Sequence, residues 1–204
     1  MLADAERLFE GAGLTHDFLH TKRVLNLALE VAKSSTGIDK RLLTAVCCFH
    51  DAGRTAPREG VNHAIISAEW ATAHFPEYGF SEEETYEGAK AIETHSWSLG
   101  LEPVNRIGEI LQDCDRIDAL GAIGLARMFA FQGGERGMYN PDDPFCESGR
   151  EPDQSLYAID HAYQKLFRLP GMLRLPECRK IAEKRAGFMR TFFEAMRDEI
   201  SGRR

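Results

Sequence analysis

An all-α fold is the class this sequence predicts, and three observations predict it. Apolar residues recur at three- and four-residue spacing along nearly the whole chain. Strand-like alternation is almost absent. Residues that cap helices stand just ahead of the periodic runs. The chain has 204 residues, 43% hydrophobic and 28% charged. That is enough chain for one domain with a real core, and the composition is that of a globular protein rather than a disordered one.

The elements follow in order. Thr15 is placed to cap a first helix, with Leu14 and Leu19 as a hydrophobic staple and Asp17 as a first-turn acid. Leu19, Val24, Leu27, Ala28 and Val31 form its apolar stripe, and Gly37 closes it. Asp39 caps a second helix carrying Leu42, Leu43, Val46 and Phe49, which ends at Gly53. Asn62 caps a third, through Ala73 and closed before Pro76. Ser81 to Glu84 reads as a capping box for a helix to about His95. Pro103 suits the first turn of a long helix with Ile107, Ile110, Leu111, Ile117 and Leu120 along it. Gly133 to Asp153 is rich in Gly, Pro and Asp and reads as a long loop, a kind often functional. Two helical stretches, Gln154 to Leu169 and Glu177 to Ile200, finish the chain.

The charge narrows the function classes. With 25 Lys and Arg against 32 Asp and Glu, the net charge is −7. A basic stripe for a nucleic-acid polymer is missing. A small anionic substrate stays open, because a bound cation or a few Arg reverse the sign of one cleft. The uncharged runs reach about eight residues, as at Leu42 to Phe49, so no membrane span of roughly 20 residues is expected. The acidic N-terminal stretch is no signal peptide. The five cysteines are odd in number, and no CxxC occurs among them. Reduced thiols and a cytoplasmic location are the expectation.

The metal-ligating residue types sort by position. His-Asp occurs at His16-Asp17 and at His50-Asp51. The second pair sits where an apolar helix ends, just before Gly53-Arg54, so both side chains can reach one ion there. His20, His63, His95 and the acidic group Asp113, Asp115 and Asp118 lie on other helices. His20 and Arg23 share a helix face, as do Asp115 and Asp118. Mixed imidazole and carboxylate ligands suit Mn, Fe, Ni, Zn or Mg better than Cu(I).

The order His20, His50-Asp51, Asp115 resembles the signature of the HD superfamily of metal-dependent phosphohydrolases. The stretches THDFLHTKRVLNLALEVA from Thr15, CCFHDAGR from Cys47 and DCDRIDALGAIGLARMF from Asp113 resemble its YedJ/YpgQ-like branch. IDHAYQKLFRLPGML from Ile159 and IAEKRAGFMRTFFEAM from Ile181 extend the likeness beyond the metal site. Cys114 departs from the small apolar residue usual in that branch. The resemblance implies a single HD-domain helical bundle over 1–204, with a metal-site core about 15–130, a loop 133–153 and C-terminal helices 154–200. It implies that His20, His50, Asp51 and Asp115 bind one divalent cation, leaving positions for water and a substrate oxygen. His63 and His95 match positions of phosphate-contacting or proton-donating His, or of ligands to a second metal. Arg23 and Arg54 are candidates for phosphate contacts, and Asp118 for orienting a ligand or water.

Plainer roles are the expectation for other residues. His16, His74 and His161 read as surface or packing histidines, Cys47 and Cys48 as buried thiols, and Met128, Phe129 and Phe131 as core. Arg127 and Tyr139 border the long loop. The function implied is hydrolysis of a small phosphate ester, most naturally a nucleotide, by attack of metal-activated water on phosphorus. One version cleaves a nucleoside triphosphate to release pyrophosphate. The alternatives are a di-iron HD-type oxygenase and a non-catalytic nucleotide sensor. A homodimer is left open.

Overall fold

Local hydrogen bonding sets most of the helix starts. The computed structural model describes residues 1–11, 17–131 and 136–203. Helix α1 spans Leu2–Leu8, α2 Phe18–Ala32, α3 Lys40–Phe49, α4 His63–His74, α5 Glu82–Glu93 and α6 Arg106–Asp118. Asp39 accepts from Arg41 and Leu42 at the start of α3, and Asn62 from Ala64 at the start of α4. Ser81 and Glu84 form the expected reciprocal box at α5. The fold is all-α, and among the described residues the sole β pairing is an isolated bridge.

Three local expectations are corrected. The cap of α2 is Asp17, whose side chain accepts from the His20 N–H. Thr15 and Leu14 lie outside the described residues, and Leu19, the other half of the proposed staple, is exposed. The long helix begins at Arg106, after Pro103, because Asn105 accepts from the Gly108 N–H at 2.8 Å and starts the turn there. It also stops at Asp118, and Leu120 opens a separate helix α7, Gly121–Ala130.

By its contacts the chain divides into two units, Met1–Asp115 and Arg116–Arg204, with the border inside α6. In the first unit α4 packs on α5, α2 on α3, and α3 on α5. Phe49 anchors this core, with the Trp70 ring 4.4 Å away and Tyr78 and Phe75 beside it. The end of α3 is thereby fixed, and with it the His50-Asp51 pair that follows. A short 3-10 turn, Ala52–Arg54, packs against α4. Gly53 is required there by close approach. A Cβ on it would stand 2.3 Å from the His63 carbonyl oxygen and 2.9 Å from the Ser67 nitrogen. Its N–H instead donates to Ser67 Oγ at 2.8 Å.

The second unit holds α7, then α8 at Ala158–Gln164, α9 at Leu169–Met172 and α10 at Pro176–Ile200. Helix α10 packs on α7 and α9. Phe193 on α10 gathers Phe145, Tyr163 and Phe167 around it. The described part of the long loop is tied down. Gly137 bridges to Tyr157, and fully buried Asp160 accepts from both Arg150 Nη groups and from the Asp153 N–H. His161 is half-buried and bonded to Gln154, and His74 is half-buried beside Glu77. Met128 is core as expected, whereas Phe131 is exposed.

All five cysteines are free thiols. Burial pushes Cys47 well above the ordinary thiol range, and burial pushes Cys48 up to about 11. A raised thiol pKa leaves the unreactive protonated form at neutral pH. The native protein is therefore expected to leave both unmodified by iodoacetamide at neutral pH, read by peptide mass spectrometry. Rapid alkylation of either without unfolding would contradict this.

Candidate metal centre

The first unit brings six side chains together from five segments. His20 sits in the first turn of α2, positioned by the Asp17 cap. His50 ends α3, and Asp51 opens the 3-10 turn. His63 is the first residue of α4, set by the Asn62 cap. His95 follows α5, and Asp115 lies on α6. His20, His50, Asp51 and His95 are at most 2% exposed. His63 and Asp115 are partly exposed, so the cluster has a buried floor and an accessible edge.

One half of the cluster converges on a small volume. His20 Nε2 lies 3.3 Å from His50 Nε2 and 3.3 Å from Asp115 Oδ1. Asp51 Oδ2 lies 3.8 Å from both imidazole Nε2 atoms, and Asp115 Oδ1 is 3.9 Å from His50 Nε2. Metal–donor bonds of about 2.1 Å put neighbouring donors roughly 3.0–3.4 Å apart, so a small contraction onto an ion closes this set. Its chemistry also fits. His50 donates its Nδ1–H to the Cys47 carbonyl at 2.8 Å. That contact fixes the tautomer and turns the Nε2 lone pair inward, as outer partners do for metal-ligating His. Two carboxylates and two imidazoles in a buried space suit a divalent cation.

The electrostatics agree. Burial pushes His50 down to about 4 against the pull of Asp51, so it is neutral and able to ligate at pH 7. Desolvation would raise Asp115, yet the hydrogen bond from His20 and the nearby imidazoles hold it well below the usual carboxylate range. Burial also lowers His63, opposed by the neighbouring Asp51 carboxylate.

The other oxygen of Asp51 faces a second set. Asp51 Oδ1 lies 3.2 Å from His63 Nε2 and 3.6 Å from His95 Nε2, and those two nitrogens are 3.3 Å apart. His95 donates its Nδ1–H to the Ile92 carbonyl at 2.6 Å, which again turns Nε2 inward. Arg54 enters this half directly. Its Nε forms an ion pair with Asp51 Oδ1 at 2.8 Å, and its Nη2 lies 3.0 Å from His63 Nε2.

The remaining candidates are less central. Arg23 is half-buried on α2, one turn beyond His20. Asp118 belongs to the second unit, where it is buried and accepts from Arg127 at 2.5 Å. Asp113 is fully buried. Two supporting residues went unread in the sequence. Ser67 ties Gly53 to the His63 carbonyl, and buried Gln112 donates to the carbonyls of Thr94 and Leu101 on either side of His95. A Ser in mid-helix and a Gln in an acidic stretch carry no local signal for such roles.

The pattern of the family described as HD domain matches residues 12–120, which include all six clustered side chains. The chain belongs to the HD-domain family. Among proteins with this domain, YpgQ of Bacillus subtilis, itself uncharacterized, is 29% identical over 192 residues, 92% of this chain and 85% of that protein. Its selenomethionine crystal structure superposes with a TM-score of 0.74 at 26% identity, covering 98% of each chain. An HD-superfamily hydrolase of Bacillus thuringiensis gives 0.73 at 26%, covering 97% of this chain and 93% of that one. A predicted HD-superfamily hydrolase from an uncultured Thermotogales bacterium gives 0.69 at 27%, covering 97% and 90%. These matches run well past the HD domain, as the likeness of the C-terminal stretches to the YpgQ-like branch implies.

Proposed function

We propose that this chain is a metal-dependent phosphohydrolase acting on a small phosphate ester, with a nucleotide as the favoured substrate. One observation carries the reading. Donors of His20, His50 and Asp115 converge with Asp51 Oδ2, while the imidazoles of His63 and His95 line Asp51 Oδ1. His20, His50, Asp51 and Asp115 hold a divalent cation. When bound, that ion supplies an acidified water and positive charge for the phosphate. The mixed imidazole and carboxylate donors suit Mn, Ni, Fe, Mg or Zn.

The chain's own residues do the rest. Arg23 and the remaining N–H groups of Arg54 hold phosphate oxygens. A proton for the leaving oxygen comes from His63 or His95. Arg54 engages the Nε2 of His63 at the accessible edge, and His95 lies in the buried floor behind it. Asp118, proposed from the sequence to orient a ligand or a water, lies three residues beyond Asp115 on α6 and is paired with Arg127. The nucleotide preference draws support from YpgQ, which has been crystallised in complex with ADP. Release of pyrophosphate from a nucleoside triphosphate is the specific version to test first.

A second reading has its own observation. Asp51 presents one oxygen to each histidine pair, as a carboxylate bridging two ions would. A di-iron oxygenase uses such a bridge. A nucleotide sensor would bind without turnover.

The test is a panel of nucleoside mono-, di- and triphosphates with Mn²⁺ or Ni²⁺, read as phosphate and pyrophosphate release. Metal-stimulated release abolished by EDTA is expected. No release from any nucleotide by protein that holds metal tightly would sink the hydrolase reading. Two irons after anaerobic purification, with O₂-dependent turnover, would favour the oxygenase.

A further inference from the structure

Two donor sets share Asp51, and they differ in one respect. Contacts among the donor atoms of His20, His50, Asp51 and Asp115 run from 3.3 to 3.9 Å. His63, His95 and Asp51 Oδ1 are packed at similar distances of 3.2 to 3.6 Å. On donor type alone, this second set is also a place for a divalent ion. Here, however, a guanidinium is already in contact with the donors.

The contacts of Arg54 have a single chemical meaning. A guanidinium donates only, and it stays charged at any pH the protein meets. Its charge is therefore paired with Asp51 Oδ1 through Nε at 2.8 Å, and its Nη2–H donates to the lone pair of His63 Nε2. Those are the atoms a second ion would need. The backbone holds the arginine in place. Arg54 ends the 3-10 turn, its own N–H bonds to the Asp51 carbonyl at 2.9 Å, and Gly53 fastens the turn to Ser67. A divalent ion bound beside it would lose two donors and meet a like charge at close range.

We propose that the Arg54 guanidinium is the built-in cation of the second half of the site. It excludes a second metal, limits the chain to one divalent ion, and keeps His63 and His95 as imidazoles facing the substrate rather than as ligands. The inference rests on the single-ion reading of His20, His50, Asp51 and Asp115. It makes Arg54 a determinant of metal count, in addition to its phosphate contact.

The experiment counts ions rather than turnover. Full-length protein is stripped with chelator, dialysed to equilibrium against Mn²⁺, and assayed by elemental analysis, with calorimetric titration alongside. The wild type is expected to hold one ion per chain. R54M, similar in length but uncharged, is expected to hold two and to show an exchange-coupled Mn²⁺ pair by electron paramagnetic resonance. Adding H63A to R54M should return the count to one. R54Q serves the same purpose if circular dichroism shows R54M misfolded; the Arg54 side chain is 34% exposed, so the fold should tolerate either. Two ions in the wild type, or one in the neutral variants, overturns the role of Arg54 and leaves the first metal site standing. No ion in the wild type overturns both.

Discussion

Asp51→Asn is expected to abolish both metal retention and phosphate release. The substitution keeps the side chain's shape and removes its charge from between four imidazoles. Asp51 Oδ2 faces His20 and His50, and Asp51 Oδ1 faces His63, His95 and Arg54. Loss of the outer partners of a ligand typically costs 10- to 100-fold in affinity or activity, and loss of a direct ligand costs more. A fall in metal-dependent turnover beyond about 100-fold is therefore expected, together with loss of bound ion by elemental analysis. The partly exposed Arg54 also loses the buried carboxylate it pairs with, so stability should fall by about 1–3 kcal/mol. A variant that keeps its ion and at least a tenth of its turnover would remove Asp51 from the site.

Gly53→Ala should give the second large effect, on stability and site together. The added methyl would meet the His63 carbonyl oxygen at 2.3 Å, Ile66 Cβ at 2.7 Å and the Ser67 nitrogen at 2.9 Å. Two of these are backbone atoms of α4, so no side chain can swing aside. Either the turn carrying Asp51 and Arg54 or the helix start carrying His63 must move. Overpacking of this kind costs about 3 kcal/mol or more when the backbone has to shift. For a chain of this length that lowers Tm by roughly 6–12 °C. Metal affinity should fall with it, because the displaced segments hold Asp51 and His63. An unchanged melting temperature with unchanged ion binding would show that the close approach of turn and helix is absent.

What the sequence made legible divides along the range of the interactions. Asp39, Asn62 and the Ser81–Glu84 box are readable because each cap bonds to a backbone group two or three residues away. The cap of α2 is harder, since Thr15 and Asp17 are both good caps two residues apart, and only the bond to His20 decides between them. The end of α6 is invisible to periodicity. Ile117 and Leu120 continue the apolar spacing across the break, and the positive φ of Gly121 that opens α7 depends on the backbone alone.

The site follows the same division. Nothing in spacing can show that His63 and His95 face each other; the structure brings their Nε2 atoms to 3.3 Å. Arg54 was readable as a cation near the His-Asp pair. Its hold on the His-Asp carboxylate and on His63 depends on how the 3-10 turn lies against α4.

The six clustered side chains are spread from position 20 to position 115. They meet only after loops of tens of residues have closed, and the entropic cost of each closure precedes any contact that rewards it. An ion bound to this set can therefore do little for the early, local steps of folding. Its stabilisation belongs to the finished native state, where it should appear as slower unfolding. In effect, the ligand spacing makes the metal a brake on opening rather than a seed for assembly.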